Sequence, residues 1–195
     1  MEREAEIVKA RESGMPDESM WASFFDVPEI LSKLQFNHTI QTAVEFGSGY
    51  GTFSIPASQL VSERLISLDI EPDLIKTLSQ KAHDYCLPIQ AICRDFVAEG
   101  TGLPSENVDY ALLFNILHIE DPLQLLKEAW RVLKYGGKMG IIHWNHDPST
   151  PRGPSMAIRP KPVDCIRWAK NSGFELISTV ELKPYHYGLI FTKKK

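Results

Sequence analysis

The sequence is poor in cysteine, and the cysteines it has are not arranged to pair. Cys86, Cys93 and Cys165 are odd in number and scattered, with no Cys-x-x-Cys pair. This gives neither a disulfide framework nor zinc-ligand spacing, so the thiols read as reduced, small apolar residues and no metal is expected. Long apolar runs are also missing: nothing approaches the roughly 18 residues of a membrane span. The opening Met1-Glu2-Arg3-Glu4-Ala5-Glu6 is charged and has no apolar signal-peptide core. A cytoplasmic protein without membrane attachment is the expectation. Repeats and low-complexity segments are absent, and so is an overall basic excess. The net charge is −4, which gives no general attraction to nucleic acid. That charge is lopsided, however. Residues 1–126 carry 8 Lys+Arg against 20 Asp+Glu, and residues 127–195 carry 13 against 5, enough for a basic face on the C-terminal third.

What is present fits one fairly large domain: 195 residues, 43% hydrophobic. The chain is organised around Val44-Glu45-Phe46-Gly47-Ser48-Gly49-Tyr50-Gly51, an apolar run ending in a glycine cluster, followed at once by the helix-compatible run Thr52 to Val61. A strand, a tight turn and a helix start in that order suit a ligand laid across the end of a parallel sheet. Glycines let the backbone approach closely at positive φ, and helix-start N–H groups point at what sits there.

Around this turn, strand and helix patterns alternate. Strands are expected at about 41–46, 64–68, 89–93, 108–114 and 138–144, with helices at about 52–61, 72–85, 122–133 and 163–171. Pro56 predicts a kink or a delayed start in the first of these helices. Lys134-Tyr135-Gly136-Gly137 reads as a C-cap and turn. Two closing strands, about 175–181 and 187–192, read as an antiparallel hairpin. Ahead of the domain, residues 3–13 read as a charged helix, and Trp21, Phe24 and Phe25 share a helical face by spacing. Asp26 then caps a further helix through about Leu34. These segments either plug the core edge or form a lid over the ligand. Alternation implies a largely parallel sheet covered on both faces. Right-handed crossovers bring the C-terminal strand ends to one edge. Gly47 to Gly51, Asp69, Asp95 and Asn115 all fall there.

These residues make the chain resemble the class I S-adenosylmethionine-dependent methyltransferases. Glu45-Phe46-Gly47-Ser48-Gly49-Tyr50-Gly51 looks like the family's acidic-x-Gly-x-Gly-x-Gly turn. Asp69 looks like its ribose acid, and Asp95-Phe96 like its adenine-recognising pair. Asn115-Ile116-Leu117-His118 looks like the segment running past the methionine moiety, and Leu133 to Gly137 like the turn before strand 5. The resemblance covers about residues 40–195. It implies an α/β fold with a doubly wound, mostly parallel seven-stranded sheet of order 3-2-1-4-5-7-6. The last strand is antiparallel and helices lie on both faces. Domain bounds of 1–38 (helical extension, a possible lid) and 39–195 (Rossmann-like domain) follow. The implied cofactor is S-adenosylmethionine, released as S-adenosylhomocysteine.

The residue chemistry agrees. A carboxylate can accept both ribose hydroxyls, and Asp69 sits 18 residues past Gly51, near the spacing of about 20 for a ribose acid. Asp95 can accept the adenine amino proton. Ile70 and Phe96 either sandwich the ring or belong to the core. Glu45 either holds the methionine ammonium, directly or through water, or caps backbone N–H groups in the turn. A nicotinamide dehydrogenase fits less well, because glycines at 47, 49 and 51 place the third one residue early for Gly-x-Gly-x-x-Gly.

The sulfonium is an activated methyl donor, so the protein must chiefly position a nucleophile. His118, His143 and His146 are the candidate general bases, His118 first, each with a structural alternative. In the proline-rich loop of residues 151–162, Arg152, Arg159 and Lys161 could bind an acidic group on the acceptor, or could be solvated charges on a rigid loop. Trp21 is a further substrate candidate. The expected function is methyl transfer to a small organic, possibly anionic acceptor, as in the quinone-biosynthesis type of this family. The alternatives are a non-catalytic cofactor-binding module or partner subunit, and an RNA or protein methyltransferase. The amino-methylating Asn/Asp-Pro-Pro-Tyr/Phe signature is absent, which disfavours nucleic acid. A monomer or homodimer is expected.

Overall fold

The computed structural model describes residues 16–195. The charged helix expected at 3–13 lies outside them. One seven-stranded sheet forms the frame: β1 (Thr42–Phe46), β2 (Arg64–Asp69), β3 (Ile89–Cys93), β4 (Val108–Phe114), β5 (Leu133–Trp144), β6 (Phe174–Leu182) and β7 (His186–Lys193). Their order is β3-β2-β1-β4-β5-β7-β6. The β3-β2-β1-β4-β5 pairings are parallel, and β7 runs antiparallel between β5 and β6. The sheet and its order are those the sequence implied.

Because the central strands are buried on both faces, their side chains sort by parity into two cores. One face collects Ala43, Leu65, Tyr110, Leu112 and Ile142 under α2 (Val27–Lys33) and α3 (Ser54–Ser58). The other collects Val44, Ile66, Leu113, Ile141 and Leu189 under α6 (Pro122–Val132) and α7 (Pro162–Asn171). Each such aliphatic side chain contributes roughly 1.5–3 kcal/mol of burial. Phe36 meets Tyr110 edge to face, and the Tyr110 hydroxyl donates to the Leu34 carbonyl at 2.8 Å. This bond ties the segment after α2 to the middle of the sheet.

Departures from the expected elements have local causes. Helix α3 spans five residues rather than ten. Pro56 has no N–H to give, and the Ser54 and Ser58 hydroxyls bond to Glu45 and to the Ile55 carbonyl instead of leaving the backbone undisturbed. The expected turn at Lys134 to Gly137 lies inside β5: Leu133 already pairs with Val108, and the irregularity is absorbed by a register shift in β4 and a φ of +79° at Gly136. A one-turn helix, α5 (Phe96–Glu99), follows β3, capped by Asp95, whose carboxylate accepts from Ala98 N at 3.0 Å. Near the N-terminus, α1 (Glu18–Ala22) is too short to put all three aromatics on one helical face. Trp21 and Phe25 do touch, with centroids 4.9 Å apart. Phe24 turns instead to Trp144 and Tyr185.

The cations of the C-terminal third are largely engaged within the fold. Lys134 pairs with Asp109 and Arg131 with Glu128, both at 2.7 Å, and Arg167 pairs with Asp164 at 2.8 Å. Lys193 is buried, donates to the Leu133 carbonyl at 2.7 Å and lies 3.9 Å over the Trp130 ring. The basic excess therefore makes less of a face than the sequence suggested.

Replacing Tyr110 with Phe removes the hydroxyl that the Leu34 carbonyl accepts, at a cost of about 1–2 kcal/mol. Urea denaturation is the check; an unchanged midpoint would deny that bond any part in holding the N-terminal cover.

Candidate functional site

The C-terminal ends of β1, β2, β4 and β5, with the start of β7, form one edge of the sheet, and the glycine turn sits in its middle. Gly47, Gly49 and Gly51 all have positive φ, at 81°, 52° and 84°. At Gly51 the space is also restricted, since an added Cβ would stand 2.8 Å from Leu78 Cδ1. The turn is fixed from below and from the side. Gly47 N and Ser48 N both donate to the Leu68 carbonyl at 2.9 Å. Asp69 Oδ2 accepts from Gly49 N at 2.7 Å, and its Oδ1 accepts from Glu71 N at 3.1 Å. Both oxygens retain a further lone pair for hydroxyl donors.

Glu45 is buried beneath the turn. Its Oε2 accepts from Ser54 Oγ at 2.5 Å and from Ser67 Oγ at 3.0 Å. Burial pushes the carboxyl up to about 7, the two hydroxyls opposing this and the charge on Asp69 adding to it. Glu45 therefore partners two serine hydroxyls, not the turn's N–H groups as one sequence reading had it. Ser54 and Ser67 carried no sequence signal of their own; the strand-end position of Glu45 could have pointed to them.

Asn115 follows β4 with a φ of 55°, its N–H donating to the Ile142 carbonyl at 2.8 Å. Its side-chain Oδ1 and Nδ2 are both buried without a partner, as is Ser48 Oγ. Unpaired buried groups of this kind cost about 1–3 kcal/mol each, and here they lie in the turn and the strand-end segment expected to hold the cofactor. Phe96 packs into the core edge-on to Phe46, at 5.6 Å, while Ile70 is only half-buried at the end of β2.

The histidines separate. His118 and His143 come together, His118 Nδ1 and His143 Nε2 lying 3.3 Å apart, so one ring donates and the other accepts. Burial lowers His118 to about 4 and His143 well below its ordinary value, with His118 adding to the second shift. Both rings are neutral at physiological pH. His146 lies apart from them and donates through Nδ1 to the Arg159 carbonyl at 2.8 Å. A further histidine, His186, is buried on the opposite face of the sheet beside Trp144 and was not singled out from sequence.

Arg159 does not present its charge to a ligand. It is buried, and its guanidinium donates to the carbonyls of Asn145, Asp147, Arg152 and Pro154 and to Thr150 Oγ1, cross-tying the loop. It is thus neither an anion binder nor a solvated charge, the two readings its place in the sequence allows, since a loop arginine looks the same before its partners are known. Arg152 remains exposed, with its guanidinium 3.8 Å from Met20 Sδ, and Lys161 is exposed as well. Trp21 is half-buried against Phe25. Among the described residues, no helix is long and apolar enough to cross a membrane and no His/Cys/Asp/Glu group could hold a metal ion.

A parallel sheet with a glycine turn after its first strand and acids after its second and third defines a Rossmann-like, adenosine-cofactor domain. A family model of the methyltransferase domain matches residues 44–141, half of the chain. The chain belongs to that family, the S-adenosylmethionine-dependent methyltransferases. It is 26% identical over 166 residues to the chloroplastic 2-methyl-6-phytyl-1,4-hydroquinone methyltransferase of Arabidopsis thaliana, covering 82% of this chain and 47% of that one. It is 28% identical over 108 residues to an uncharacterised methyltransferase-like protein of Schizosaccharomyces pombe, covering 55% and 40%. The chain thus spans about half the length of the curated relatives it matches. In fold it is similar to an S-adenosylmethionine-dependent methyltransferase from Aquifex aeolicus, with a TM-score of 0.79 at 20% identity over 90% of this chain and 93% of that one.

The raised value at Glu45 has a defined sign. The folded state holds this proton more tightly than the unfolded chain, whose value is near 4.5. Stability from this group is therefore present below pH 4.5 and is lost as pH rises through about 7. Glu45→Gln should remove that loss. From pH 5 to pH 8, urea denaturation should show the variant gaining about 2–3 kcal/mol relative to wild type; a constant difference would contradict the assignment.

Proposed function

We propose that this chain transfers the methyl group of S-adenosylmethionine to a small organic acceptor held at the C-terminal edge of the sheet. The observation that carries this is the set of unpaired buried atoms at Asn115 and Ser48, in and beside a turn of three positive-φ glycines. The residues present suit the cofactor. Asp69 takes the ribose hydroxyls with its remaining lone pairs, and Gly47, Gly49 and Gly51 admit the methionine and ribose parts. Asp95 and Ile70 face the adenine, with Phe96 supporting Ile70's side from the core. Asn115 accepts and donates to the amino-acid part, and Glu45 supplies negative charge behind it. When bound, the cofactor supplies an electrophilic methyl group on a sulfonium.

The chain's own residues then have two tasks. They must exclude water and hold the acceptor atom in line, and they must take a proton where the nucleophile carries one. His118 is suited to the second task. It is neutral at pH 7, is held in orientation by His143, and follows Asn115 in the same segment. His143 orients His118 and does not itself reach the acceptor. Arg152, the proline-rich loop's exposed arginine, is placed to meet an acidic group if the acceptor has one. The acceptor named for the Arabidopsis relative is a substituted hydroquinone, an organic molecule with hydroxyl nucleophiles and no acidic group.

Asp69→Ala should weaken S-adenosylmethionine binding by about 10–100-fold in calorimetry, from roughly 1–3 kcal/mol of lost partner bonds; unchanged affinity would remove Asp69 from the ribose role. The reaction itself is tested by a transfer screen with methyl-labelled cofactor over small-molecule acceptors. With an acceptor found that way, Arg152→Ala should raise KM for acidic acceptors only and leave cofactor affinity as it was. A matching rise for neutral acceptors would speak against a charge contact.

A further inference from the structure

We propose that His186 recognises the acceptor through a hydroxyl group. The acceptor ring is a planar hydroxylated aromatic that enters an aromatic chamber at the ends of β4, β5 and β7 once Phe25 moves aside, bringing its hydroxyl to the edge of the imidazole. The proposal deepens the methyl-transfer reading and rests on it for the reaction, but binding alone tests it.

The first support is a polar atom without a partner. His186 is 1% exposed, and its Nε2 is buried and makes no hydrogen bond. Burial, with the charge of Arg159 adding, lowers its pKa to about 3, so the ring is neutral and suits a neutral hydroxyl rather than a carboxylate. A hydroxyl both donates and accepts, so it satisfies this nitrogen in either tautomer.

The second is the wall around that atom. Trp144 lies 4.2 Å from the His186 ring and Phe25 4.6 Å from it. Phe25 meets Phe53 at 5.0 Å, and Phe53 meets Phe114 at 4.8 Å. These separations are the ones at which aromatic rings pack edge-on or offset, so a flat ring of similar size finds the same contacts.

The third is the standing of Phe25 itself. It lies in the link between α1 and α2, and α1 is five residues long with none buried. Outside Phe25 is an open cavity of about 780 Å³, walled by Phe24, Phe25, Val27, Ile55 and Pro184 and reaching Gly51 of the cofactor turn. Phe25 lines this cavity on one side and on the other lies 4.6 Å from the His186 ring, tilted by 33°. Moving it aside joins the cavity to the unpaired nitrogen, next to the turn that holds the cofactor. The volume suits a small ring with an apolar substituent.

The test titrates the whole chain with 4-methylphenol and with its deoxy counterpart toluene, following the ring 15N signals of His186. Neither cofactor nor turnover is needed. The phenol should shift the Nε2 signal and bind at least fivefold more tightly than toluene. His186→Phe should abolish that preference while S-adenosylmethionine affinity stays as in wild type. Phe25→Ala, which leaves His186 in place, should raise affinity for both probes severalfold, and it decides the matter should His186→Phe fail to fold. Equal affinities in wild type, an undiminished preference in His186→Phe, or no gain in Phe25→Ala each overturn the proposal. A preserved phenol preference with no methyl transfer to any acceptor would count against the methyl-transfer reading and leave the His186 site standing.

Discussion

The site depends on one carboxylate that holds the glycine turn and a second that ties together the strands and helix start around it. Asp69 reaches across from the end of β2 and accepts from Gly49 N at 2.7 Å. Glu45, opposite Ser67 in β1, gathers the hydroxyls of Ser54 and Ser67 and so joins β1, β2 and the start of α3 at one buried point. A turn with three positive-φ glycines has little stiffness of its own, because glycine loses the most conformational freedom on ordering. Its shape is imposed by these acids and by the paired donation of Gly47 and Ser48 to Leu68. The cost is visible at Glu45, whose raised value records a carboxyl taken out of water for the sake of position. In the proposed complex, a cationic ligand in front of this acid would favour its charged form and so offset that cost.

The frame was legible in the sequence because it rests on patterns that repeat. Five apolar runs ending in Gly47, Asp69, Asp95, Asn115 and Trp144 define strand ends, and crossover handedness brings them together. Side-chain partnerships were not legible, because they depend on approaches across tens of residues. Arg159 looked like a ligand-binding arginine until its carbonyl partners at Asn145, Asp147, Arg152 and Pro154 were seen. His186 looked like one more residue of a closing hairpin, and only the pairing of β7 beside β5 sets it against Trp144. The glycines after Lys134 signalled a chain reversal, and the irregularity was instead taken up within β5 and its partner β4. Local signals read correctly for backbone breaks therefore misled on what the breaks were for.

The two faces of the sheet divide the chemistry between them. Strand parity sends His143 and Tyr187 to one side and Trp144 and His186 to the other. On the first side, Tyr187 donates to the Pro160 carbonyl at 3.0 Å and lies stacked 6.3 Å from His143, which in turn meets His118. That side pairs two imidazoles through one hydrogen bond and leaves His143 Nδ1 buried without a partner. On the second side His186 Nε2 is buried without a partner among the rings of Phe25 and Trp144. Adjacent residues of one strand thus place buried histidines on opposite faces of the sheet, so the two roles proposed for them do not compete for the same space.

The N-terminal cover completes this division, because its two helices are held very differently. Helix α2 buries Val27, Ile30 and Leu31, and the chain beyond it is tied to the sheet through Tyr110. Helix α1 buries nothing and is held at the surface by contacts such as Lys81 to Glu18 and the Tyr50 hydroxyl to the Pro16 carbonyl. A segment with few buried apolar groups opens at low free energy, whereas one anchored in the core opens only with the fold. Phe24 and Phe25 lie at the boundary between the two regimes. The proposed acceptor chamber therefore has a floor set by the sheet and a cover whose first helix is held by surface contacts alone. That asymmetry lets a rigid cofactor turn coexist with a site that must admit and release a second molecule.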